Sequence, residues 1–519
     1  MRKTFLATIT LALMGAVFFL TAQPRGDHAR VRLKLVDAAT GKNVVGMVRV
    51  LDRSGKHVVL PGLYDRMTAL TVDNPGVHWY IVPVGGAETT LPRGKLRLEA
   101  ISGLETGLAA LDLDLTAKAP AEVTLKLPFL FRPDELGLVA GNTHLHLRGF
   151  SLEKSDEYLR KIPAADNLRV MFISYLLRHK DDESYITNKY PIGDLPQFNA
   201  TGVLFNNGEE HRHNFKGFGQ GYGHVMFLNI KELVQPVSIG PGIMAKGFDD
   251  LPLRPGIDNA RKQGGTIIWC HNTNGYEDVP SAITGRLDAL NVFDGSRTGR
   301  FEDNYYRYLN IGLRMPISTG TDWFMYDFAR VYAAVKGKLT VASWLNAVKA
   351  GRCQATNGPL LSLEVDGRPI GDVFDLKEPK RVTIKASAIG RHPVQRLQLI
   401  QNGKVVKTQV APKQFSGRIE MTYSVRLDSP AWFAVRIDSA ARNEFGRTLF
   451  AHSSPVYVTF RGKNVFYLDA GVVLLKQVEE GQAAIQAQGR FTSTGAAAKL
   501  RVMYDAAAQD LRDRLNARR

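Results

Sequence analysis

Two histidines one residue apart, His144 and His146, stand in Gly141-Asn142-Thr143-His144-Leu145-His146, behind the apolar run Leu136, Leu138, Val139, Ala140. The run reads as a buried strand, and on a strand positions i and i+2 share a face. Both imidazoles then leave the C-terminal end of the strand together, where barrel active sites sit. Histidine is the commonest metal ligand, and two on one face begin a metal site. An HxH pair alone carries little. It gains weight from four further ligand-type clusters downstream.

The first of these is Asn207-Gly208-Glu209-Glu210-His211-Arg212-His213, just past the apolar residues 203–205. A carboxylate here can bridge two ions, because each oxygen can take one. For His211 and His213 taken separately, a solvated loop is the competing reading. Gly221-Tyr222-Gly223-His224 follows, with glycines that let backbone pack closely around the histidine. Ile267-Ile268-Trp269-Cys270-His271-Asn272 places His271 at the end of another apolar run. A satisfied core histidine is the alternative for both His224 and His271. Ser318-Thr319-Gly320-Thr321-Asp322-Trp323 closes the series, and Asp322 suits either a metal or a turn or helix cap. The order HxH, Glu, His, His, Asp is hard to obtain by chance. An N/O ligand set without cysteine suits Zn, Mn or Fe hydrolytic centres.

The clusters need strands to position them, and the chain offers these between residues 129 and 358. Apolar strand candidates at 170–175, 202–205, 225–230, 266–270 and 289–293 alternate with helical stretches at 155–161 and 256–263. Such alternation predicts an α/β domain with parallel strands. Its length, about 230 residues, suits a barrel. On either side the pattern is strand-like. Residues 28–128 hold short alternating segments (Val31 to Leu35, Val48 to Val50, Lys95 to Glu99, Val123 to Leu127) between turns such as Thr40-Gly41-Lys42, which predicts a β-sandwich. Asp37 to Lys42 followed by Val48-Arg49-Val50 resembles carboxypeptidase regulatory-like accessory domains. Residues 359–460 alternate again, with a hairpin at Asn402-Gly403, and predict a second β-sandwich. In the extension 461–519, Leu500, Tyr504, Ala507, Ala508, Leu511 and Leu515 fall at helical spacing, and the stripe is expected to pack on the protein's own surface.

At 519 residues the chain exceeds one hydrophobic core, and 44% hydrophobic with 23% charged residues is ordinary globular composition. Met1-Arg2-Lys3-Thr4 is a short basic segment, and Phe5 to Ala22 is apolar and uncharged. This reads as a secretory signal peptide over residues 1–22, cleaved after Ala22, with an uncleaved signal anchor as the alternative. The expected location is therefore periplasmic or extracellular, with membrane attachment only if the signal stays. Cys270 and Cys353 are the only cysteines, which excludes a disulfide scaffold. Cys270 reads as a buried strand residue, with a catalytic thiol the lesser alternative. The net charge of +17 is spread through the chain. No basic block with interleaved aromatics points to nucleic acid, so no nucleic-acid partner is expected.

The combination Gly141 to His146, Asn207 to His211, Gly221 to Val225, Trp269 to Asn272 and Gly320 to Trp323 resembles the PHP (polymerase and histidinol phosphatase) metallohydrolases over residues 135–360. The similarity is closest to their CehA/McbA-type branch, and Ala350-Gly351-Arg352 with Thr356 to Pro359 also looks like that branch. The resemblance implies a distorted (β/α)7 barrel with metals at the strand C-termini, here flanked by two β-sandwich domains and a helical C-terminal tail. It makes His144, His146, Glu210, His224, His271 and Asp322 the metal ligands, with Glu209 the alternative to Glu210 as the bridge. Two positions depart from the family pattern. Phe324 stands where a closing Asp-x-His motif has its histidine, and Phe172 to Tyr175 lacks a ligand found there in relatives. One or two ions (Zn, Mn or Fe) are therefore expected, not three: His144, His146, Glu210 and Asp322 on one, Glu210, His224 and His271 on the other.

The function this implies is an exported hydrolase that uses metal-activated water on a phosphoester, ester or carbamate in a small-molecule or polymer-derived substrate. His211 and His213 are candidate acid/base residues. Arg148, and Arg178 or His179, are candidates for holding an anionic substrate. Two alternatives remain. One is a carbohydrate- or surface-binding protein with a decayed catalytic centre. The other is an amidohydrolase-type barrel, which also begins with HxH and ends with Asp but uses a bridging lysine.

Overall fold

A computed structural model describes residues 27–68, 78–117, 119–149, 151–176, 185–216, 221–244, 246–272, 275–293, 304–414 and 417–518. Residues 1–22, read from the sequence as a signal peptide, and Arg178 and His179 lie outside the described residues. No described helix is long and apolar enough to cross a membrane.

The architecture is mixed α/β, with many strands in several sheets and few helices. Near the N-terminus, alternation does what it predicts. In His28–Asp37 the residues Val31, Leu33 and Leu35 turn inward while Arg30 and Arg32 stay exposed. A three-stranded sheet (Ala87–Pro92, His28–Asp37, Glu122–Leu127) packs on a five-stranded one containing Gly46–Asp52 and Lys95–Ile101, with Val48, Val50 and Leu98 in the shared core.

The next unit carries the site. Its strands run in the order Ile317–Thr319, Ala289–Phe293, Thr266–Trp269, Gly223–Leu228, Leu204–His213, Val170–Tyr175, Leu138–Asn142, Arg330–Ala334, Cys353–Thr356. Leu138–Asn142, Val170–Tyr175 and Leu204–His213 are mutually parallel, as are Thr266–Trp269, Ala289–Phe293 and Ile317–Thr319. Between these two triplets Gly223–Leu228 runs antiparallel to both neighbours. The helices predicted from periodicity form as Leu152–Ala165, capped by Ser151 accepting from the Lys154 N–H, and Arg254–Lys262. Among the described residues no closed barrel forms. Cys353–Thr356 pairs onward with Ala451–Ser453, so the ladder continues into the C-terminal sandwich instead of returning to Ile317–Thr319. The two ends still approach each other, with the Cys353 thiol 3.3 Å from the Ile317 carbonyl oxygen.

One strand differs from its sequence reading in a way that matters. The apolar stretch at 202–205 is only the start of Leu204–His213, so the charged run through His213 is strand and not a loop beyond it. From residue 205 onward the strand is buried, with Asn207 Nδ2 donating to the Tyr190 carbonyl and Glu209 pairing with His211 along the strand.

In the C-terminal sandwich, Leu360–Val365, Lys380–Ile389 and Arg418–Leu427 cover the continuation of the long sheet. The predicted hairpin forms between Arg396–Gln401 and Lys404–Val410, with Asn402 and Gly403 at φ 51° and 84°, as a tight two-residue turn requires. Helices Leu468–Gln488 and Thr494–Asn516 pack on each other and on Asp278–Ile283. The predicted stripe is buried, and its residues from Leu500 to Leu511 share one core with Tyr222 and Val225 of the α/β unit. Each fully buried leucine of that stripe contributes about 1.5–3 kcal/mol. Both cysteines are buried and neither is in a disulfide.

Candidate metal centre

Six of the residues singled out by ligand type converge at one end of the α/β sheet. They form two groups: His144, His146, Glu210 and Asp322, and Glu210, His224 and His271. Glu210 belongs to both.

The first group starts where Leu138–Asn142 ends. The chain bends at Thr143 and resumes as Leu145–His146, which pairs with Asp322–Trp323. Asn142 accepts the His144 N–H through Oδ1 at 3.0 Å and donates to Thr321 Oγ1 at 3.0 Å, which ties the two segments together. The His144 carbonyl accepts the Thr321 and Asp322 N–H groups, each at 3.0 Å. Gly320 allows this approach, since a Cβ there would lie 2.4 Å from the His144 Cβ. Asp322 itself is left-handed at φ 58°, and His271 at φ 52°. Two non-glycine residues in that region at one site are held there by their surroundings at some cost.

The donor geometry suits a metal. His144 Nε2 and His146 Nε2 are 2.9 Å apart, and His146 Nε2 is 2.9 Å from Glu210 Oε2. Asp322 Oδ1 is 3.5 Å from His144 Nε2 and 3.7 Å from His146 Nε2. Four donors about 2.0–2.2 Å from one ion lie roughly 3.4 Å from each other, so these separations match. The other ring atoms set the tautomers. His146 Nδ1–H donates to the Ser174 carbonyl at 2.9 Å, which turns Nε2 toward the centre. In the second group His224 Nε2–H donates to Asn214 Oδ1 at 2.8 Å, leaving Nδ1 at 2.8 Å from Glu210 Oε1. His271 Nε2 lies 3.9 Å from the same oxygen and 3.9 Å from Asp322 Oδ2.

Burial sets the electrostatics. It would raise the Glu210 carboxyl, but its close contacts with the His144, His146 and His224 rings outweigh it and hold the group well below the usual carboxylate range. Burial pushes His146 down to about 4 against the pull of Glu210, so the ring is neutral near pH 7 and its Nε2 lone pair is open to a metal. The centre is reached past His224 and Asp322, whose side chains are 14% and 13% exposed, while His144 is fully enclosed.

Strand parity decides among the remaining candidates. Glu210 faces the centre, so Glu209, His211 and His213 face the other way. Glu209 is fully buried between His211 Nδ1 at 2.9 Å and the Val234 N–H at 2.9 Å, which removes it as the bridging carboxylate. His211 and His213 are corrected as acid/base candidates for the same reason. The Ser238 N–H approaches His211 Nε2 at 3.4 Å, and His213 lies 2.8 Å from Asp249 with its Nδ1 accepting the Tyr222 N–H at 3.1 Å. Arg148 stands exposed at the rim, its guanidinium 4.8 Å from the Trp323 ring centroid, and Trp323 in turn lies 5.1 Å from the His146 ring. Phe324 packs edge-on to Tyr158 in an apolar cluster and offers no donor.

Sequence reasoning missed Asn214, Ser174 and Trp323. Asn214 follows Glu210 by four positions, which a strand reading extended past residue 205 would have placed on the ligand face. Ser174 contributes only its carbonyl, for which no side-chain signal exists.

These features define a mixed α/β protein whose buried His, Glu and Asp groups can hold metal ions. No protein-family model matches the chain, and no curated protein matches it.

Proposed function

We propose that the chain is an exported metal-dependent hydrolase of the PHP type, nearest the CehA/McbA-type branch. The observation that carries this reading is the split use of Glu210: Oε2 turns to His144 and His146, and Oε1 to His224 and His271. One carboxylate between two donor groups is the arrangement of a two-ion hydrolytic site. A PHP-like barrel opened along one seam is consistent with the approach of Cys353 to Ile317. Phe324 packed among apolar side chains supports two ions over three. The basic start and apolar 5–22 segment support export.

Divalent Zn, Mn or Fe at this centre would supply Lewis acidity and a water acidic enough to ionise near neutral pH. The chain's own residues do the rest. Ser174 and Asn214 fix which nitrogen of His146 and His224 faces inward. The enclosed walls at His144 limit bulk water. Arg148, stacked on Trp323, offers a charged guanidinium to an anionic substrate group entering from the rim.

The reading is tested by assaying the full chain with added Mn, Zn or Fe on phosphoester, carboxylester and carbamate substrates. Turnover by the wild type, lost to background in His144→Ala, is expected. A wild type that binds metal yet turns over none of the three classes would favour the binding-only alternative.

A further inference from the structure

The loop that bears Asp322 is anchored by residues far away in the chain. Between Asp322–Trp323 and Arg330–Ala334 the Phe324 N–H donates to the His146 carbonyl at 3.1 Å and the Met325 N–H to Tyr158 Oη at 2.7 Å. Asp327 then turns its carboxylate into the junction with the C-terminal sandwich. There Asn443 Nδ2 donates to Asp327 Oδ1 at 2.5 Å, and Asn357 Nδ2 donates to Asp327 Oδ2 at 2.9 Å.

Neither amide is free to turn away. Asn443 Oδ1 accepts the Phe445 and Arg447 N–H groups at 3.1 and 3.2 Å, and Asn357 Oδ1 accepts the Phe450 N–H at 2.7 Å. The carboxylate, both amides and the adjoining Phe328 and Phe445 rings, 4.4 Å apart, are all buried. Burial lifts the Asp327 carboxyl to about 6 although both amides oppose it. A buried acid is costly to retain for packing alone. Past it, Arg330 is buried and donates to the Asp166 carbonyl at 2.6 Å and to Glu105 of the N-terminal sandwich at 3.4 Å, so the loop's far end is held as well.

We propose that the C-terminal sandwich sets the position of the metal ligand Asp322 through the Asn443–Asp327 contact, which makes Asn443 a positioning residue of the metal centre. This rests on the metal-centre reading above. The loop is short, Asp322 is held in a left-handed conformation, and its carboxylate must stay within 3.5–3.9 Å of three histidines. Releasing Asp327 lets the segment slide and moves the Asp322 oxygens out of that arrangement.

Co(II) titration of the full chain, followed by visible absorption, reads the centre without any substrate. In Asn443→Ala the Co(II) affinity should fall about tenfold, toward the lower end of what loss of a ligand's supporting contact costs, with a shifted visible band. Leu397→Ala, in the core of the same sandwich but away from the loop, should lower the melting temperature and leave the affinity and band unchanged. Asn443→Ser keeps a short donor, should lose less, and stands in if the alanine variant does not fold. Wild-type Co(II) binding with an unaltered affinity and band in the Asn443 variants overturns this inference alone. A wild type that takes up no Co(II) overturns the metal-centre reading and this inference with it.

Discussion

Glu209 and Glu210 are consecutive, both buried, and point to opposite faces of one strand: Glu210 toward His146 and His224, Glu209 toward His211 and the Val234 N–H. Their amide variants should therefore part company. Glu210→Gln should abolish tight binding of both ions. Glu209→Gln should keep full metal content while losing about 1–3 kcal/mol of stability, the cost of an incompletely satisfied buried group. Elemental analysis after dialysis, beside a chemical melt, checks both, and metal loss from Glu209→Gln would reverse the assignment.

Gly320 has little room. An added Cβ would sit 2.4 Å from the His144 Cβ and 2.9 Å from its backbone nitrogen. Gly320→Ala should displace His144, weaken Zn binding in a calorimetric titration and destabilise the fold by about 1–3 kcal/mol. Wild-type affinity in that variant would show that the segment has slack the packing does not suggest.

Glu277 should make stability fall as pH rises from about 4.5 to 8. It is buried, accepts the Leu253 and Arg254 N–H groups, and burial raises it from 4.5 to about 8. A carboxyl whose folded pKa exceeds its unfolded value favours the fold below the unfolded pKa and loses that contribution as pH climbs through the folded one. The full span is roughly 5 kcal/mol. Urea melts across this range should show stability falling less steeply with pH in Glu277→Gln than in the wild type. Equal slopes would remove Glu277 from the account.

Arg148 should discriminate by substrate charge. It is exposed, stacked on Trp323 and beside the centre. Arg148→Gln should raise KM for an anionic ester about ten- to a hundredfold, as loss of a charge-assisted contact does. For a neutral ester KM should stay the same. A uniform rise for both would assign Arg148 to structure.

The candidate ligands were legible because each is a metal-type residue beside an apolar run, and their order along the chain narrows the candidate chemistry. What was not legible has a common physical cause, which is distance. Whether Glu209 or Glu210 faces inward depends on how far the strand continues, and the charged residues 209–213 look like loop until their partners at Val234, Ser238 and Asp249 appear. His211 and His213 were misjudged for the same reason. The sandwiches were visible in their alternation at Val31 to Leu35 and around Asn402-Gly403. The onward pairing of Thr356 with Ala451, which keeps the sheet from closing, joins segments too far apart for any local pattern to reveal.

The central claim is that Glu210 lies between two ions. Anomalous diffraction from crystals of the full chain grown with Zn or Mn tests it most directly. Two peaks are predicted, one among His144, His146, Glu210 and Asp322, the other among Glu210, His224 and His271. No peak at this centre, a third tightly held ion beside Phe324, or a metal ligated by Glu209 would contradict it.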